Sequence, residues 1–348
     1  MKQVIGGVKM IHPVILKRFA VFALLCGCML CGCGRQEPEP TAETTASSSD
    51  TTKKTTATTQ KTTVTTVTTT SPEQYYMEQC EPDMVEVQPK DALTKRKGVT
   101  YPKFEKYYYY SHTAKRRTGV NVLLPKDYSE EKKYPVVYIL HGSGSNEDWL
   151  TSDKIGISVM LTNLIQDGEA EEMIVVTPYI FCSPEMPEST GLDVKNWRIY
   201  DNFINDLMKD LRPFINSTFS VDTDRAHTAI TGTSAGGRES LYIGFSHPEV
   251  FGYTGAVCPA SGVVRNVGNP PYTLQPEQFC FEDKRPYLLL ISAAEHDEAV
   301  GDSPYLYHDI LTDNGTQHLF HVMTKSGHDY KSVTSHLYNF FRMIFRAS

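Results

Sequence analysis

After its first 32 residues the 348-residue chain is short of positive charge, with 30 Lys and Arg against 41 Asp and Glu. A net-acidic body with no basic block beyond Lys17-Arg18 suits a phosphate backbone poorly, so nucleic acid is excluded as a main partner. Long apolar runs are missing too. Phe19 to Gly32 is a run of fourteen apolar or small residues, where a bilayer-crossing helix needs about twenty. After residue 73 no CxxC pair or His/Cys cluster has zinc spacing, and EF-hand and P-loop patterns are absent, so no metal or other cofactor is expected. Only four of the eight cysteines (Cys80, Cys182, Cys258, Cys280) follow residue 34. That allows at most two bridges and excludes a disulfide scaffold; Cys258, in an apparent strand, reads as a buried free thiol. What is present, 40% hydrophobic and 22% charged residues, is enough for a large packed core and excludes a wholly disordered or multi-span chain.

The other four cysteines lie at the front. Lys17-Arg18 and the apolar run form a secretory leader ending in Leu30-Cys31-Gly32-Cys33, and Met10 would serve as a start equally well. Leu-x-Gly-Cys in this place resembles the lipobox of bacterial lipoproteins, which implies a diacylglyceryl group on Cys33; Leu25-Cys26-Gly27-Cys28 has the same form but falls inside the run. Each buried CH₂ contributes about 0.8 kcal/mol, so two or more acyl chains anchor stably. An ordinary cleaved signal peptide is the alternative. From Thr41 to Thr70, sixteen of thirty residues are Thr, with no aromatic among them. Such a segment buries too little apolar surface to offset chain entropy and reads as a disordered spacer. The expected organisation is therefore a leader over 1–32, a linker over 33–73 and one domain over 74–348. That domain is held at the extracellular face of a bacterial membrane by the lipid alone, or secreted if the lipobox is unused.

In the domain, apolar β-type runs alternate with helical patterns. Strands are predicted at 120–124, 134–140, 172–180, 227–232, 252–258, 287–293 and 318–324. Helices are predicted at 157–166, 201–215, 235–245, 305–312 and 330–345. Continuous apolar strands alternating with helices imply an α/β fold, a mostly parallel central sheet covered by helices on both faces.

The chemistry concentrates at the C-terminal ends of these strands. Gly232-Thr233-Ser234-Ala235-Gly236 joins a strand to a helix, a turn in which glycines avoid clashes and the serine is exposed. A serine hydroxyl needs a base within reach. Downstream, one strand ends in Ala294-Glu295-His296-Asp297-Glu298 and the next leads to Ser326-Gly327-His328-Asp329. Ser234 is the candidate nucleophile, Asp297 the acid (Glu295 and Glu298 being alternatives) and His328 the base. His318 and His321, in or beside a strand, read as structural. His141-Gly142-Ser143-Gly144 follows another strand and suits an oxyanion hole, its donors being the amides of Ser143 and Ala235.

Tyr134-Pro135, Leu140 to Gly144 with Trp149, Val221 to Arg225 ahead of Gly232 to Gly237, and Ser326 to Tyr330 with its closing helix together resemble the esterase-D-like, carbohydrate esterase family one group of α/β hydrolases. The likeness spans about residues 95–346. It implies the α/β-hydrolase fold and supports Ser234, Asp297 and His328 in the roles above. The chain departs from the family pattern at Thr233 and Ala235 in the elbow, at Ala294, and in lacking a second consecutive Gly in the oxyanion loop, which bears on acyl specificity. The family includes feruloyl and acetylxylan esterases, mycolyltransferases, siderophore esterases and S-formylglutathione hydrolases. Export and a spacer fit a polysaccharide-linked ester substrate, with Trp149, or Trp197 with Tyr200, as an aromatic wall for a feruloyl ring or sugar face. A siderophore or small-ester hydrolase, an acyltransferase and a silent glycan-binding lipoprotein are the other readings. Oligomeric state leaves no signal in the sequence.

Overall fold

A computed structural model describes residues 72–268, 271–281 and 283–347. The expected leader, Cys33 and the whole threonine-rich segment lie outside the described residues. The first helix, α1 (Pro72–Cys80), begins beside the expected boundary between linker and domain.

Eight strands form one sheet: β1 (Glu105–Ser111), β2 (Arg116–Leu123), β3 (Val136–Leu140), β4 (Ile174–Pro178), β5 (Thr228–Gly232), β6 (Tyr253–Val257), β7 (Leu288–Ala294) and β8 (Leu319–Met323). Their order is β1-β2-β4-β3-β5-β6-β7-β8. The β1–β2 and β2–β4 pairs are antiparallel, and β4-β3-β5-β6-β7-β8 run parallel. Every residue of β3 to β7 is buried, which is why these strands read as unbroken apolar runs.

The pleat sends alternate residues to opposite faces. Val137 and Ile139 pack among Met160, Leu164, Leu337 and Phe341, from α2 (Ile157–Gln166) and α8 (Tyr330–Met343), with α1 on the same side. Val136, Tyr138 and Leu140 pack on the other face against Phe203, Leu207, Leu211 and Ile215. The segment carrying those four residues follows α3 (Val194–Asp201) and differs locally from the single helix expected over 201–215. It runs as α4 (Phe203–Asp206), a π-helical turn (Leu207–Leu211) and α5 (Arg212–Thr218). Pro213 has no N–H to give the carbonyl four residues back, and the wider turn absorbs that loss while the apolar face stays buried. Two more helices complete the fold, α6 (Ala235–Ser246) and α7 (Ser303–Asp313).

β1 was not predicted. Its Glu-Lys-Tyr-Tyr-Tyr-Tyr-Ser sequence lacks period-two alternation, and as an edge strand it exposes Tyr108 and Tyr110. The expected strand 252–258 ends one residue early, at Val257. Cys80, Cys182, Cys258 and Cys280 are all free thiols, so none of the possible pairings forms. Among the described residues no helix is long and apolar enough to cross a membrane.

Candidate active site

The turn between β5 and α6 is built by steric exclusion. A Cβ on Gly232 would lie 2.5 Å from the Gly236 carbonyl, and one on Gly236 would lie 2.2 Å from the Leu140 oxygen. Only glycine lets β5, β3 and α6 approach this closely. Between them Ser234 takes φ 56° and ψ −118°, strained for a residue with a side chain. The strain is held by backbone bonds on both sides. Thr233 N–H donates to Leu140 O (3.1 Å), Ser234 N–H to Val257 O (3.1 Å), and Ala260 N–H back to Ser234 O (3.0 Å). The hydroxyl is thereby presented to a cavity of about 900 Å³ whose wall also includes Gly142, Ser143, Trp149, Trp197 and His328.

His328 lies between β8 and α8. Its loop is pinned by His296 N–H to Ser326 O (2.9 Å) and by the Ser332 hydroxyl to Gly327 O (2.6 Å). Asp329 caps α8 by accepting from Ser332 N–H at 3.0 Å. His328 Nδ1 is 2.7 Å from Asp297 Oδ2. Asp297 Oδ1 accepts the amides of Ala299 (2.9 Å) and Val300 (3.2 Å). Burial pushes the Asp297 carboxyl up, but His328, the Cys258 thiol and the Val300 amide outweigh it and hold it below the ordinary aspartate range. With Nδ1 committed to Asp297, Nε2 is the nitrogen left for the serine.

The two alternative acids do not reach the imidazole. Glu295 is exposed and accepts the Lys325 amide at 3.0 Å, and Glu298 is exposed. His318 and His321 are bonded elsewhere, to His308 and to the Glu86 carbonyl.

The 141–144 loop is fixed from beneath. His141 is fully buried; its Nδ1 is 2.8 Å from Gly142 O and its Nε2 accepts the Ile180 amide at 3.2 Å. Burial pushes this imidazole down to about 4, so it is neutral. Gly144 N–H donates to the Tyr200 hydroxyl at 3.1 Å. A Cβ on Gly142 would sit 3.3 Å from Ser234 Cβ, and Ser143 shares the cavity wall with Ser234.

Trp149 forms part of the cavity wall, stacked on Tyr330 with ring centres 5.5 Å apart. Trp197 forms another part, with the Arg238 guanidinium 5.0 Å from its ring centre. Sequence reasoning missed Tyr330 as a wall residue, the Tyr200 support and the buried Arg238, which pairs with Asp201 and Glu239. None of these carries a motif. Cys258, Asp297 and His328 place donor atoms within 4.8 Å of one another, a spacing that could hold an ion. Their chemistry fits poorly, because Oδ2 and Nδ1 already bond each other and burial pushes the thiol well up, keeping it protonated.

The fold and this constellation define the class, an α/β-hydrolase esterase. The "Putative esterase" family model matches residues 111–333. The chain is 36% identical to the CE1 ferulic acid esterase of the anaerobic fungus Anaeromyces mucronatus, covering 76% of this chain and 98% of that one at a TM-score of 0.72. It is also 28% identical over 186 residues to an endo-1,4-beta-xylanase/feruloyl esterase of Xylanibacter ruminicola, 52% of this chain and 25% of that protein. The chain thus spans about a quarter of that curated relative's length. The feruloyl esterase module of Clostridium thermocellum, 20% identical, shares the fold over 76% of this chain and 95% of its own, at a TM-score of 0.59. The chain belongs to this esterase family, as a carboxylic-ester hydrolase of the CE1 type.

Proposed function

We propose that this chain is a feruloyl esterase that releases hydroxycinnamic acids from plant cell-wall polysaccharide such as xylan. The observation that carries the reading is one cavity holding Ser234 on a strained elbow, the 2.7 Å His328–Asp297 pair and two aromatic walls. A space of about 900 Å³ is far larger than an acetyl group needs and suits a planar aromatic acid with its sugar. The feruloyl esterase names of its relatives support the same substrate.

In this mechanism Ser234 Oγ attacks the ester carbonyl while His328 Nε2 takes its proton. Asp297 holds the imidazole tautomer and stabilises the imidazolium. The amides of Ser143 and Ala235 donate to the oxyanion. His328 then returns the proton to the leaving sugar oxygen, giving an acyl-enzyme, and water repeats the sequence to free the acid and Ser234. No step uses a metal. The lipid on Cys33 and the threonine-rich spacer would hold the domain clear of the cell envelope, where polymer is met. Metabolic labelling with a fatty-acid probe, lost on Cys33→Ala, tests the anchor.

The deciding experiment is turnover of methyl ferulate, feruloylated xylo-oligosaccharide and acetylated xylan by the purified protein. Ferulate release with water as acceptor, abolished by Ser234→Ala, supports the reading. Acetate release alone, or transfer to a sugar acceptor, would overturn it.

A further inference from the structure

The acid of the site is supported by a residue that the mechanism above leaves unused. Cys258 immediately follows β6 and has φ 46°, the left-handed region, although it is not glycine. Its backbone is held there by its own N–H, which donates to Ser292 O on β7 at 2.7 Å. The preceding carbonyl, Val257 O, accepts the Ser234 amide, and two residues on Ala260 N–H donates to Ser234 O. The same short segment therefore clamps the nucleophile's backbone and aims one side chain. That side chain is 2% exposed, forms part of the cavity wall and lies within 4.8 Å of both the Asp297 carboxylate and the His328 ring nitrogen.

An ionised carboxylate accepts only, with room for about four hydrogen bonds. Asp297 receives one from His328 and two from the amides of Ala299 and Val300. The Cys258 thiol lies within 4.8 Å of the same carboxylate, and burial keeps it protonated, so its S–H is a donor available there. A thiolate here would instead set a second negative charge against Asp297.

We propose that Cys258 is a positioning residue for the catalytic set: its thiol holds the Asp297 carboxylate in the orientation that His328 Nδ1 requires, while its backbone registers the Ser234 elbow. This rests on the serine-esterase reading of the site, though not on which ester is the substrate. Replacing the thiol by a methyl group leaves the carboxylate's charge less neutralised, so the imidazolium is better stabilised and the acid limb of the pH profile moves to higher pH. A serine, whose O–H is a stronger donor, moves that limb the other way.

The test uses the full-length protein and its Cys258→Ala and Cys258→Ser variants. Two readouts are followed against pH: ester hydrolysis, and the rate at which a fluorophosphonate labels Ser234, which needs no natural substrate. For Cys258→Ala we expect kcat to fall about 3- to 30-fold, the loss of one modest hydrogen bond. KM should stay within about twofold and the acid limb should rise, while Cys258→Ser recovers most of the rate and lowers the limb. Wild-type rates and limb in Cys258→Ala would overturn the proposal, as would equal losses in both variants with an unmoved limb. If Cys258→Ala folds poorly in a thermal melt, the limb of Cys258→Ser decides alone, an unmoved limb overturning the proposal. Failure of every feruloyl ester as substrate would overturn the proposed function but leave the labelling rates to judge Cys258.

Discussion

Thr231 Oγ1 and His336 Nε2 share a 2.8 Å hydrogen bond in the fully buried space between β5 and α8. The other ring nitrogen of His336 lies 2.8 Å from the Ser292 hydroxyl, which also meets His321 Nδ1 at 3.3 Å. A polar line thus crosses the core from β5, which precedes Ser234, to β8, which precedes His328. Burial penalises the charged imidazolium in this dry space, pushing His336 down to about 3 and lowering His321 as well.

From this follows a pH dependence of stability. A histidine whose folded value lies below the unfolded one, near 6.5, binds more protons when unfolded. Its stabilisation is complete above about pH 6.5 and is lost as pH falls toward about 3, by about 1.4 kcal/mol per pH unit for each such group. Buried His141, at about 4, adds to the slope. Urea melts from pH 7.5 to 4.5 should show the loss, and His336→Gln should flatten the slope while lowering stability at pH 7. A flat profile in the parent protein would contradict it.

The proposed triad predicts a graded mutational series. Ser234→Ala should lower kcat by about 10⁴-fold or more and end fluorophosphonate labelling, and Asp297→Asn should cost about 10⁴ by stabilising the wrong imidazole tautomer. Glu295→Gln and Glu298→Gln should stay within about twofold, since neither carboxylate touches His328. Activity should survive chelators and fall on the acid side, where a protonated His328 cannot accept the serine proton. Initial rates across pH check all of these.

Glycines at the elbow and in the 141–144 loop should respond differently. Gly236→Ala drives a methyl to 2.2 Å from the Leu140 carbonyl, a backbone atom that cannot step aside. We expect a loss at the top of the range of about 1–3 kcal/mol for overpacking, together with inactivity. Gly144→Ala meets open space and costs only its left-handed backbone at φ 68°, about 1 kcal/mol. Thermal melts of the two variants should separate them clearly.

For the cavity wall, Trp149→Ala removes one of two stacked rings. Turnover of ferulate esters should fall about 10- to 100-fold in kcat/KM, the scale of one lost apolar contact surface, while small acetate esters change within about threefold. Equal losses on both would reassign Trp149 to folding alone.

Most of the strand framework was legible because β3 to β7 are buried on both faces and therefore unbroken in apolar character. The proposed nucleophile and acid were legible for a related reason, each following such a strand, β5 and β7, whereas the proposed base follows edge strand β8; glycine marks the turns of the serine and the histidine. What could not be read was whatever depends on a partner distant in the chain. Tyr330 becomes a wall residue only because Trp149 stacks on it. Tyr200 holds Gly144 across 56 positions, and Arg238 is an ordinary helix residue until Asp201, 37 positions away, closes on it. The choice of Asp297 over its neighbours was open in the sequence, since three acids share one loop; the 2.7 Å contact separates them. Edge strand β1 left too little pattern to detect.

The proposed base, His328, is carried by the loop after β8, and β8 is an outermost strand, paired only with β7. The nucleophile follows β5, deep in the sheet between β3 and β6. Fraying at that border would part proton acceptor from hydroxyl while the elbow and the bulk of the sheet persist. Catalysis should therefore vanish before circular dichroism registers unfolding, making hydrolysis the earliest alarm of thermal or acid damage in this molecule.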